Sequence, residues 1–481
     1  MSARILVDVS GHFSPTGSPR NAIVRIEREL ARRLLDDPSL NTLPILFGPS
    51  GVIFAVDRQH ALDVLNHREQ RTEPQQIQAT EPVADAASTP QYSLRRRALR
   101  SGLGMATVAG RRVISRAPEH ARSDIRQSLL HARNALVAIV RAPRPHQLQE
   151  LAPPEQPEPE PVAGAIKPVP AKRPALSTVV HPSRRDIVWT CGPAVESVPL
   201  RQLAEAKRAS HFRLASICYD MYTVRQAAWP APAMSGLAAA RGIDQLDASD
   251  LIFCVSAPMQ EDLHSFAVDN GRPSPDSRLI PLGVDLSHPE TVGPATADTA
   301  SPTSRRFALS VGKLDAVNNH GLLLRVWQQL VLEPQFDLDL VIAGRAGDAT
   351  IELMAKMREW PLLRGRVHYI GEVADGELIE LYSNCQMLLC PTLDHGWVLS
   401  VGEALGHGRQ VICSDHDALR AASHGQAAFL DPLDHRAWTS AIRAAAASRQ
   451  TVSDRPLPTW DECAALLRKE LLALVNEKPG S

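Results

Sequence analysis

Short apolar runs alternate with amphipathic stretches along most of this chain, and the alternation constrains its fold more than any other feature. The runs have the length of strands, and their continuous apolar character is typical of parallel strands buried on both faces. They are Ile5–Val9, Leu43–Phe47, Val52–Val56, Asp186–Trp189, Leu214–Cys218, Leu251–Val255, Leu279–Pro281, Phe307–Val311, Leu338–Ala343, Val367–Ile370, Met387–Cys390, Gln410–Cys413 and Ala427–Leu430. Strands and helices that alternate at this spacing predict an α/β protein with two doubly wound parallel sheets, which bind ligands at the carboxyl ends of their strands.

The first predicted strand leads into a loop that contains Gly11 and Gly17, and a helix that Asn21 can cap follows the loop. The apolar residues on one face of this helix are Ile23, Ile26, Leu30 and Leu34. The two glycines either let the backbone approach a ligand closely or form only a flexible connection. The loop lacks the closely spaced glycines of a dinucleotide-binding turn, which disfavours a nicotinamide-dependent enzyme.

The alternation is interrupted between about Arg71 and Pro182. Pro153–Pro174 is rich in proline, can bury little apolar surface and predicts an extended linker. Ahead of it, Arg95–Arg144 contains twelve arginines against two acids and a predicted amphipathic helix, Ser123–Val140. A basic helix of this kind can lie on an anionic membrane surface, pack on the rest of the protein, or form part of a solvated spacer.

Composition excludes several classes of protein. The seven cysteines are an odd number without C-x-x-C spacing, which favours buried free thiols and a reducing compartment over disulfide or metal sites. The start Met1–Val7 lacks the apolar stretch of a signal peptide, and no run approaches the ~18 apolar residues of a membrane span. With a net charge of −1, the chain has no overall attraction to nucleic acid. We therefore expect a cytoplasmic protein, with peripheral membrane contact through Arg95–Arg144 left open.

The densest chemical signal is residues 394–405, Asp-His-Gly-Trp-Val-Leu-Ser-Val-Gly-Glu-Ala-Leu, shortly after the apolar run Met387–Cys390. A glycine-containing turn leads into a helix whose first N–H groups can bind a diphosphate. Glu403 lies one or two turns inside this helix, where a carboxylate can accept both hydroxyls of a ribose. His395 lies at the turn itself, at the sugar end of such a ligand.

This segment resembles the E-x7-E signature of family 4 retaining glycosyltransferases. The matching residues are Gly396, Leu399, Glu403 and Ala404, with Trp397 at an aromatic position and His395 in place of the first glutamate. Six further stretches resemble family patterns in the same order: Asn21–Glu29, Asp250–Ser256, Leu282–Asp285, Val311–His320, Ile342–Gly347 and Ala428–Asp434. The first of these is similar to members that build bacterial surface polysaccharides. The resemblance extends along nearly the whole chain except the insert, about Arg71 to Pro182.

The resemblance implies a GT-B fold, in which two Rossmann-like domains face a cleft. It also implies transfer of a hexose, such as mannose or rhamnose, with retention of configuration and without a required metal or other cofactor. The donor would be a GDP- or UDP-linked sugar, and the acceptor a growing glycan or a lipid-linked glycan. By analogy Glu403 would hold the ribose and His395 the transferred sugar. The donor-binding turn would comprise Gly396, Trp397, Val398 and Leu399.

Two departures from the family pattern concern charge. The phosphate-binding lysine of the family aligns with Asn318, and the arginine before it with Val317. Lys313 and Arg345 are the cations that remain near the phosphates, and His395 cannot act as a carboxylate. The departures leave altered donor preference, weak activity or lost activity open. The leading hypothesis is an active transferase, and the alternative is a weakened GT-B scaffold that binds glycan or a partner transferase.

Smaller candidates have structural alternatives. Asp220 begins a turn that resembles a cleft-facing turn of related transferases, but it can equally cap the preceding strand. Asp337-Leu338-Asp339 looks like the metal-binding motif of another transferase class, although its place at the head of an apolar strand favours strand-edge residues. His407 and His320 are expected at helix ends.

The predicted organisation has five segments. They are the first part of an N-terminal Rossmann-like domain at 1–70, an arginine- and proline-rich insert at 71–182, the second part of that domain at 183–300, a nucleotide-sugar-binding Rossmann-like domain at 301–455, and a helix at 456–481 that packs back on the N-terminal domain.

Overall fold

A computed structural model describes residues 3–13, 22–48, 51–66, 178–191, 199–219, 221, 232–286, 305–393, 398–448 and 455–476. These residues belong to one compact unit, Met1–Thr72 together with Pro170–Ser481. Several sequence predictions lie outside the described residues: Gly17, Asn21, the helix 123–140, the linker 153–174, Asp220 and the turn residues His395, Gly396 and Trp397.

The first sheet has eight strands among the described residues, in the order β4-β3-β2-β1-β5-β6-β7-β8. They are β1 (Arg4–Asp8), β2 (Asn41–Phe47), β3 (Ile53–Ala55), β4 (Thr178–Val180), β5 (Asp186–Thr190), β6 (Arg213–Cys218), β7 (Leu251–Cys254) and β8 (Ser277–Leu279). All neighbours from β2 to β8 pair in parallel, whereas β3 and β4 form an antiparallel edge. The strand order reverses at β1, so its carboxyl end borders a crevice where a ligand can bind.

The helices that accompany the first sheet are α1 (Ser10–Phe13), α2 (Ala22–Asp36), α3 (Arg58–Asn66), α4 (Leu200–Ser210), α5 (Pro232–Ala248) and α6 (Ala257–Asp269). In α2 the predicted apolar face is largely confirmed, because Ile26, Leu30 and Leu34 are buried in the core beneath β1 while Ile23 is half-buried. Burying three such side chains contributes roughly 1.5–3 kcal/mol each. This packing fixes the polar face of α2, which carries Arg25 and Arg28.

The second sheet has six parallel strands among the described residues, in the order β11-β10-β9-β12-β13-β14. They are β9 (Phe307–Val311), β10 (Asp339–Ala343), β11 (Val367–Gly371), β12 (Met387–Cys390), β13 (Gln410–Ser414) and β14 (Ala428–Leu430). The helices that follow them are α7 (His320–Leu330), α8 (Thr350–Glu359), α9 (Asp375–Asn384), α10 (Leu399–Gly406), α11 (Asp417–Ala422) and α12 (His435–Ala447), with a 3-10 turn at Pro361–Leu363. Here the order reverses between β9 and β12, which places the ends of these two strands at the second crevice.

The chain returns to the first sheet through α13 (Trp460–Asn476). Trp460, Leu467 and Leu471 are buried in the same core as the residues beneath β1. The backbone N–H of Trp460 donates to Asp285 Oδ1 at 2.6 Å, which joins α13 to the segment that links the sheets. We call the first sheet with its helices and α13 the first lobe, and residues 305–448 the second lobe.

Two strands of the first sheet differ from the sequence prediction. β4 lies inside the stretch that the sequence pattern assigned to the insert, and its three residues pair with β3 at the edge of the sheet. The last strand of the first sheet is Ser277–Leu279 and not Leu279–Pro281. Proline lacks the N–H that a strand ladder needs, so the strand ends before Pro281.

The cysteines are all buried free thiols, and burial raises the pKa of Cys390 to about 12. Among the described residues, no group of three or more His, Cys, Asp or Glu is placed to hold a metal ion. None of the described helices is both long enough and apolar enough to cross a bilayer.

Candidate functional site

Lys313 and Arg345 each lie one glycine beyond the ends of β9 and β10, and both side chains are exposed. The two strand ends approach very closely: at Gly344, whose φ is +150°, a Cβ would lie 2.0 Å from the carbonyl oxygen of Gly312. Only glycine can therefore occupy position 344 without moving the backbone. The Leu314 N–H donates to the Arg345 carbonyl at 3.0 Å, so the segments that carry the two cations run side by side.

The loop between Lys313 and α7 is fixed by its own polar side chains. Asn318 is 9% exposed, and its Nδ2 donates to the Lys313 carbonyl and to Asp315 Oδ1, both at 2.9 Å. Asn319 has a φ of 53°, and its Nδ2 donates to the Pro391 carbonyl at 3.0 Å, next to the end of β12. The amide of Asn318 is thus engaged within the loop, at the position where the family resemblance expects a phosphate-binding lysine.

The start of α10 lies just beyond the end of β12. Val398 is half-buried at the N-cap position, and Leu399 is buried among core residues of the first lobe. The first turn of this eight-residue helix thus lies where the two lobes meet. The first N–H groups of a helix suit an anion in general, and anion binding at this helix start stays a prediction.

Glu403 lies in the second turn of α10 and is 1% exposed. The hydroxyl of Tyr382, on α9, donates to Glu403 Oε2 at 2.9 Å. Nη2 of Arg25 lies 3.1 Å from Glu403 Oε1 and 3.4 Å from Oε2. Burial raises the pKa of Glu403, while the charge of Arg25 and the hydrogen bond from Tyr382 oppose that shift.

Arg25 belongs to the first lobe, so the contact with Glu403 joins the two lobes. Its Nη1 also lies 3.2 Å from Asp375 Oδ1, at the start of α9, and Arg28 Nη2 lies 2.6 Å from the other oxygen of Asp375. Burial disfavours the charged guanidinium, but Glu403 and Asp375 outweigh that effect and raise the pKa of Arg25. Sequence reasoning missed this cluster. Its one available signal was that the stretch 21–29 resembles a family motif containing an arginine at position 25.

A pair of buried carboxyl groups lies at the carboxyl end of β1. Asp8 accepts hydrogen bonds from the Ser10 N–H at 2.9 Å and from the Thr190 hydroxyl at 2.7 Å. Glu27 Oε1 accepts from the Gly11 N–H at 3.0 Å, and a Cβ at residue 11 would lie 2.7 Å from Glu27 Oε2. Burial raises the pKa of Asp8, and burial together with Asp8 raises the pKa of Glu27 well above its usual range. The close approach that Gly11 permits is therefore to a side chain of this protein.

The smaller candidates have structural roles. Asp337 pairs with Arg306, and the buried Asp339 pairs with Arg366 at 2.7 Å, so both carboxylates are held at the strand edge. His407 is the C-cap of α10, and its Nδ1 lies 2.8 Å from the Glu403 carbonyl. His320 begins α7 inside the core, where burial lowers its pKa to about 4.

The second lobe matches a known domain family. Residues 305–448 match the model of the glycosyl transferases group 1 family, a stretch that contains Lys313, Arg345 and Glu403. Residues 305–448 are a glycosyltransferase domain. Two doubly wound lobes, the second of them this glycosyltransferase domain, make the GT-B architecture that the sequence predicted, and the chain carries the domain of a transferase enzyme.

Curated relatives are similar over part of their length. Over 176 residues the chain is 28% identical to the serotype-specific mannosyltransferase WbdA of Escherichia coli. This match covers 35% of this chain and 22% of WbdA. Over 104 residues it is 32% identical to the O-antigen chain mannosyltransferase RfbU of Salmonella typhimurium, which covers 22% of this chain and 29% of RfbU. Each match therefore spans less than a third of the relative. The structure of a sucrose-phosphate synthase from Thermosynechococcus elongatus has a TM-score of 0.48 at 19% identity, covering 60% of this chain and 74% of that chain.

Proposed function

We propose that the protein is a retaining glycosyltransferase that moves a hexose from a GDP- or UDP-linked donor to a growing glycan or a lipid-linked acceptor. The observation that carries the proposal is the position of Glu403, a carboxylate buried behind the start of α10 in the glycosyltransferase domain. The mannosyltransferases similar to parts of the chain support a hexose donor and a surface glycan as product.

Each part of the donor has a proposed partner. Glu403 accepts the hydroxyl groups of the ribose, and the N–H groups at the start of α10, next to Val398 and Leu399, bind the diphosphate. Lys313 and Arg345 neutralise the charge that gathers on the leaving diphosphate. Asn318 contributes by shaping the loop that presents Lys313.

Four further residues complete the proposed site. We assign Gly396 and Trp397 to the donor-binding turn, His395 to the transferred sugar and Asp220 to orientation of donor or acceptor. In this assignment no metal or organic cofactor takes part.

Thermal-shift titrations with UDP, GDP, dTDP and ADP test the proposal. A nucleotide at about 100 times its Kd stabilises the fold by ~2.7 kcal/mol. We expect one nucleotide to do so, and Glu403→Gln to remove the shift because an amide cannot accept both ribose hydroxyls. Asp375→Asn is the matched control, since it changes a neighbouring partner of the same arginine and should keep the shift.

A catalytically silent scaffold is the second candidate function. Asn318 favours it, because the amide at the expected cation position is engaged within its loop. The absence of any shift with all four nucleotides at millimolar concentration would select the scaffold over the transferase.

Peripheral membrane contact through Arg95–Arg144 is a separate proposal, supported by the arginine content of that stretch. We expect the full chain to pellet with anionic liposomes and the deletion of Gln91–Arg144 to stay in the supernatant. Equal pelleting of the two proteins would rule this contact out.

A further inference from the structure

The buried carboxylate of the proposed ribose site has its cationic partner on the other lobe. Glu403 belongs to α10 of the second lobe, and Arg25 belongs to α2 of the first, with 3.1 Å between Nη2 and Oε1. Glu403 is 1% exposed and Arg25 is 5% exposed. Nε of Arg25 is also buried and has no hydrogen-bond partner among the described residues.

The groups around Glu403 differ in how strongly they affect its pKa. Arg25 faces it from α2, Tyr382 and Asp375 face it from α9, and His407 lies on its own helix. Burial raises the pKa of Glu403, and Arg25 gives the largest opposing effect, ahead of the Tyr382 hydroxyl. A neutral hydroxyl alone does not compensate a buried carboxylate as a guanidinium does.

The charge state of Glu403 matters for what it can bind. The vicinal hydroxyl groups of a ribose are hydrogen-bond donors, and an ionised carboxylate can accept from both through its two oxygens. A protonated carboxyl group uses one oxygen to carry its own hydrogen and becomes a poorer partner for the pair.

We propose that Arg25 is a positioning residue for the donor ribose: it holds Glu403 as a carboxylate aimed at the ribose hydroxyls, so the ribose site is complete only when both lobes meet. The proposal rests on the ribose role proposed above for Glu403. It makes recognition of the nucleotide depend on a residue outside the glycosyltransferase domain.

Arg28 provides a matched control on the same helix. Its Nη2 lies 2.6 Å from Asp375 Oδ2, so it also joins α2 to the second lobe. Among the described residues Arg28 forms ion pairs with Asp375 and Glu29, and not with Glu403. Loss of Arg28 therefore weakens the contact between the lobes and leaves the ribose carboxylate with Arg25.

The test is calorimetric binding of GDP or UDP and of the matching 2′,3′-dideoxynucleoside diphosphate between about pH 6 and pH 9. The wild type should prefer the ribonucleotide by about tenfold or more, as expected for hydrogen bonds to a charged group. Arg25→Gln should lose this preference near neutral pH and regain it as rising pH ionises Glu403. Arg25→Lys should keep part of the preference without the new pH dependence, and Arg28→Gln should keep all of it.

Each other outcome overturns a defined part of the scheme. If Arg25→Gln keeps the wild-type preference at every pH, or Arg28→Gln loses it equally, Arg25 only joins the lobes and the inference fails. If Arg25→Gln unfolds even at acid pH, where a protonated Glu403 needs no cation, the role of Arg25 is structural and the inference fails as well. A wild type that binds neither diphosphate, or binds both equally, overturns the ribose role of Glu403 itself.

Discussion

Two glutamates are buried equally deeply in this protein, and the side chains around them differ. Glu403 is 1% exposed and Glu27 is 0% exposed. Glu403 has the guanidinium of Arg25 and the hydroxyl of Tyr382 beside it, whereas Glu27 accepts a backbone N–H and lies next to a second carboxyl group, Asp8. Burial raises the pKa of both glutamates, but Arg25 opposes the shift at Glu403 while Asp8 adds to it at Glu27.

Comparing the two glutamates distinguishes the effect of burial on a carboxyl pKa from the effect of neighbouring charged groups. Removing a carboxylate from water costs several kcal/mol unless a cation or several hydrogen bonds replace the solvent, and otherwise the group takes up a proton. At Glu27 burial and Asp8 both favour the protonated form, and the carboxyl group accepts the Gly11 N–H in the turn after β1. Glu403 keeps a cation at the edge of the sheet where the diphosphate and ribose of a donor are proposed to bind.

The largest effect is expected where the cation is removed. Arg25→Gln leaves a buried carboxylate without its partner and should lower the free energy of unfolding at neutral pH by roughly 3–5 kcal/mol. Arg28→Gln should lower the free energy of unfolding by less, because Asp375 still pairs with Arg25 and the Arg28 side chain is 14% exposed. Urea denaturation of the two variants measures the difference.

The same measurement at lower pH provides the check on this prediction. As Glu403 takes up a proton its need for a cation disappears, so the cost of Arg25→Gln should shrink toward acid pH. A cost that is independent of pH would mean that packing, and not charge, accounts for the loss.

A smaller effect of opposite sign is expected at Glu27. Below the ordinary glutamate pKa of 4.5, folded and unfolded chains both hold the proton. Above it the unfolded chain releases the proton and the folded chain does not, so the wild type loses stability as pH rises. Glu27→Gln cannot titrate, and its stability relative to the wild type should therefore increase with pH by up to ~1.4 kcal/mol per unit.

Glu29, on the same helix, is the control for Glu27. Burial acts to raise its pKa, but Arg28 and Arg33 outweigh burial and lower it. Glu29→Gln should therefore be less stable than the wild type at neutral pH, and the gap should close as pH falls through the carboxylate range. Thermal melting of both glutamine variants from acid to alkaline pH checks this comparison. If neighbouring side chains determine whether a buried glutamate is ionised, stability relative to the wild type should rise with pH for Glu27→Gln and fall with pH for Glu29→Gln.

Most strands and the lobe order follow from local sequence. Apolar runs such as Phe307–Val311 and Met387–Cys390 became strands with the predicted bounds, because a continuous apolar run suits a strand covered on both faces. β4 could not be predicted in this way. Its three residues, Thr178–Val180, pair with β3 across the long insert, and so short a strand carries no periodic signal of its own.

The partners of the site residues were much less predictable than the residues themselves. Glu403 was identified from a local motif, but its contact with Arg25 joins positions separated by 378 residues along the chain. No helical or strand periodicity relates two such positions, and only the packing of α2 on the first sheet brings them together. The fold is encoded largely in local pattern, and the electrostatics of the site in long-range packing.

Asn318 extends the comparison to a neutral buried group and gives the smallest expected effect. Its amide donates to the Lys313 carbonyl and to Asp315 Oδ1, so Asn318→Ala should cost about 1–2 kcal/mol of stability.

Asn318→Lys restores the cation that the family resemblance expects, but it removes both hydrogen bonds. Two opposed effects then act on diphosphate binding, an added charge and a loosened loop that no longer holds Lys313. Because position 318 is buried, an ammonium group there would lose much of its hydration, so we expect Asn318→Lys to melt earlier and to bind GDP or UDP no more tightly than the wild type. Tenfold tighter binding with unchanged melting would show instead that charge outweighs loop geometry at this position.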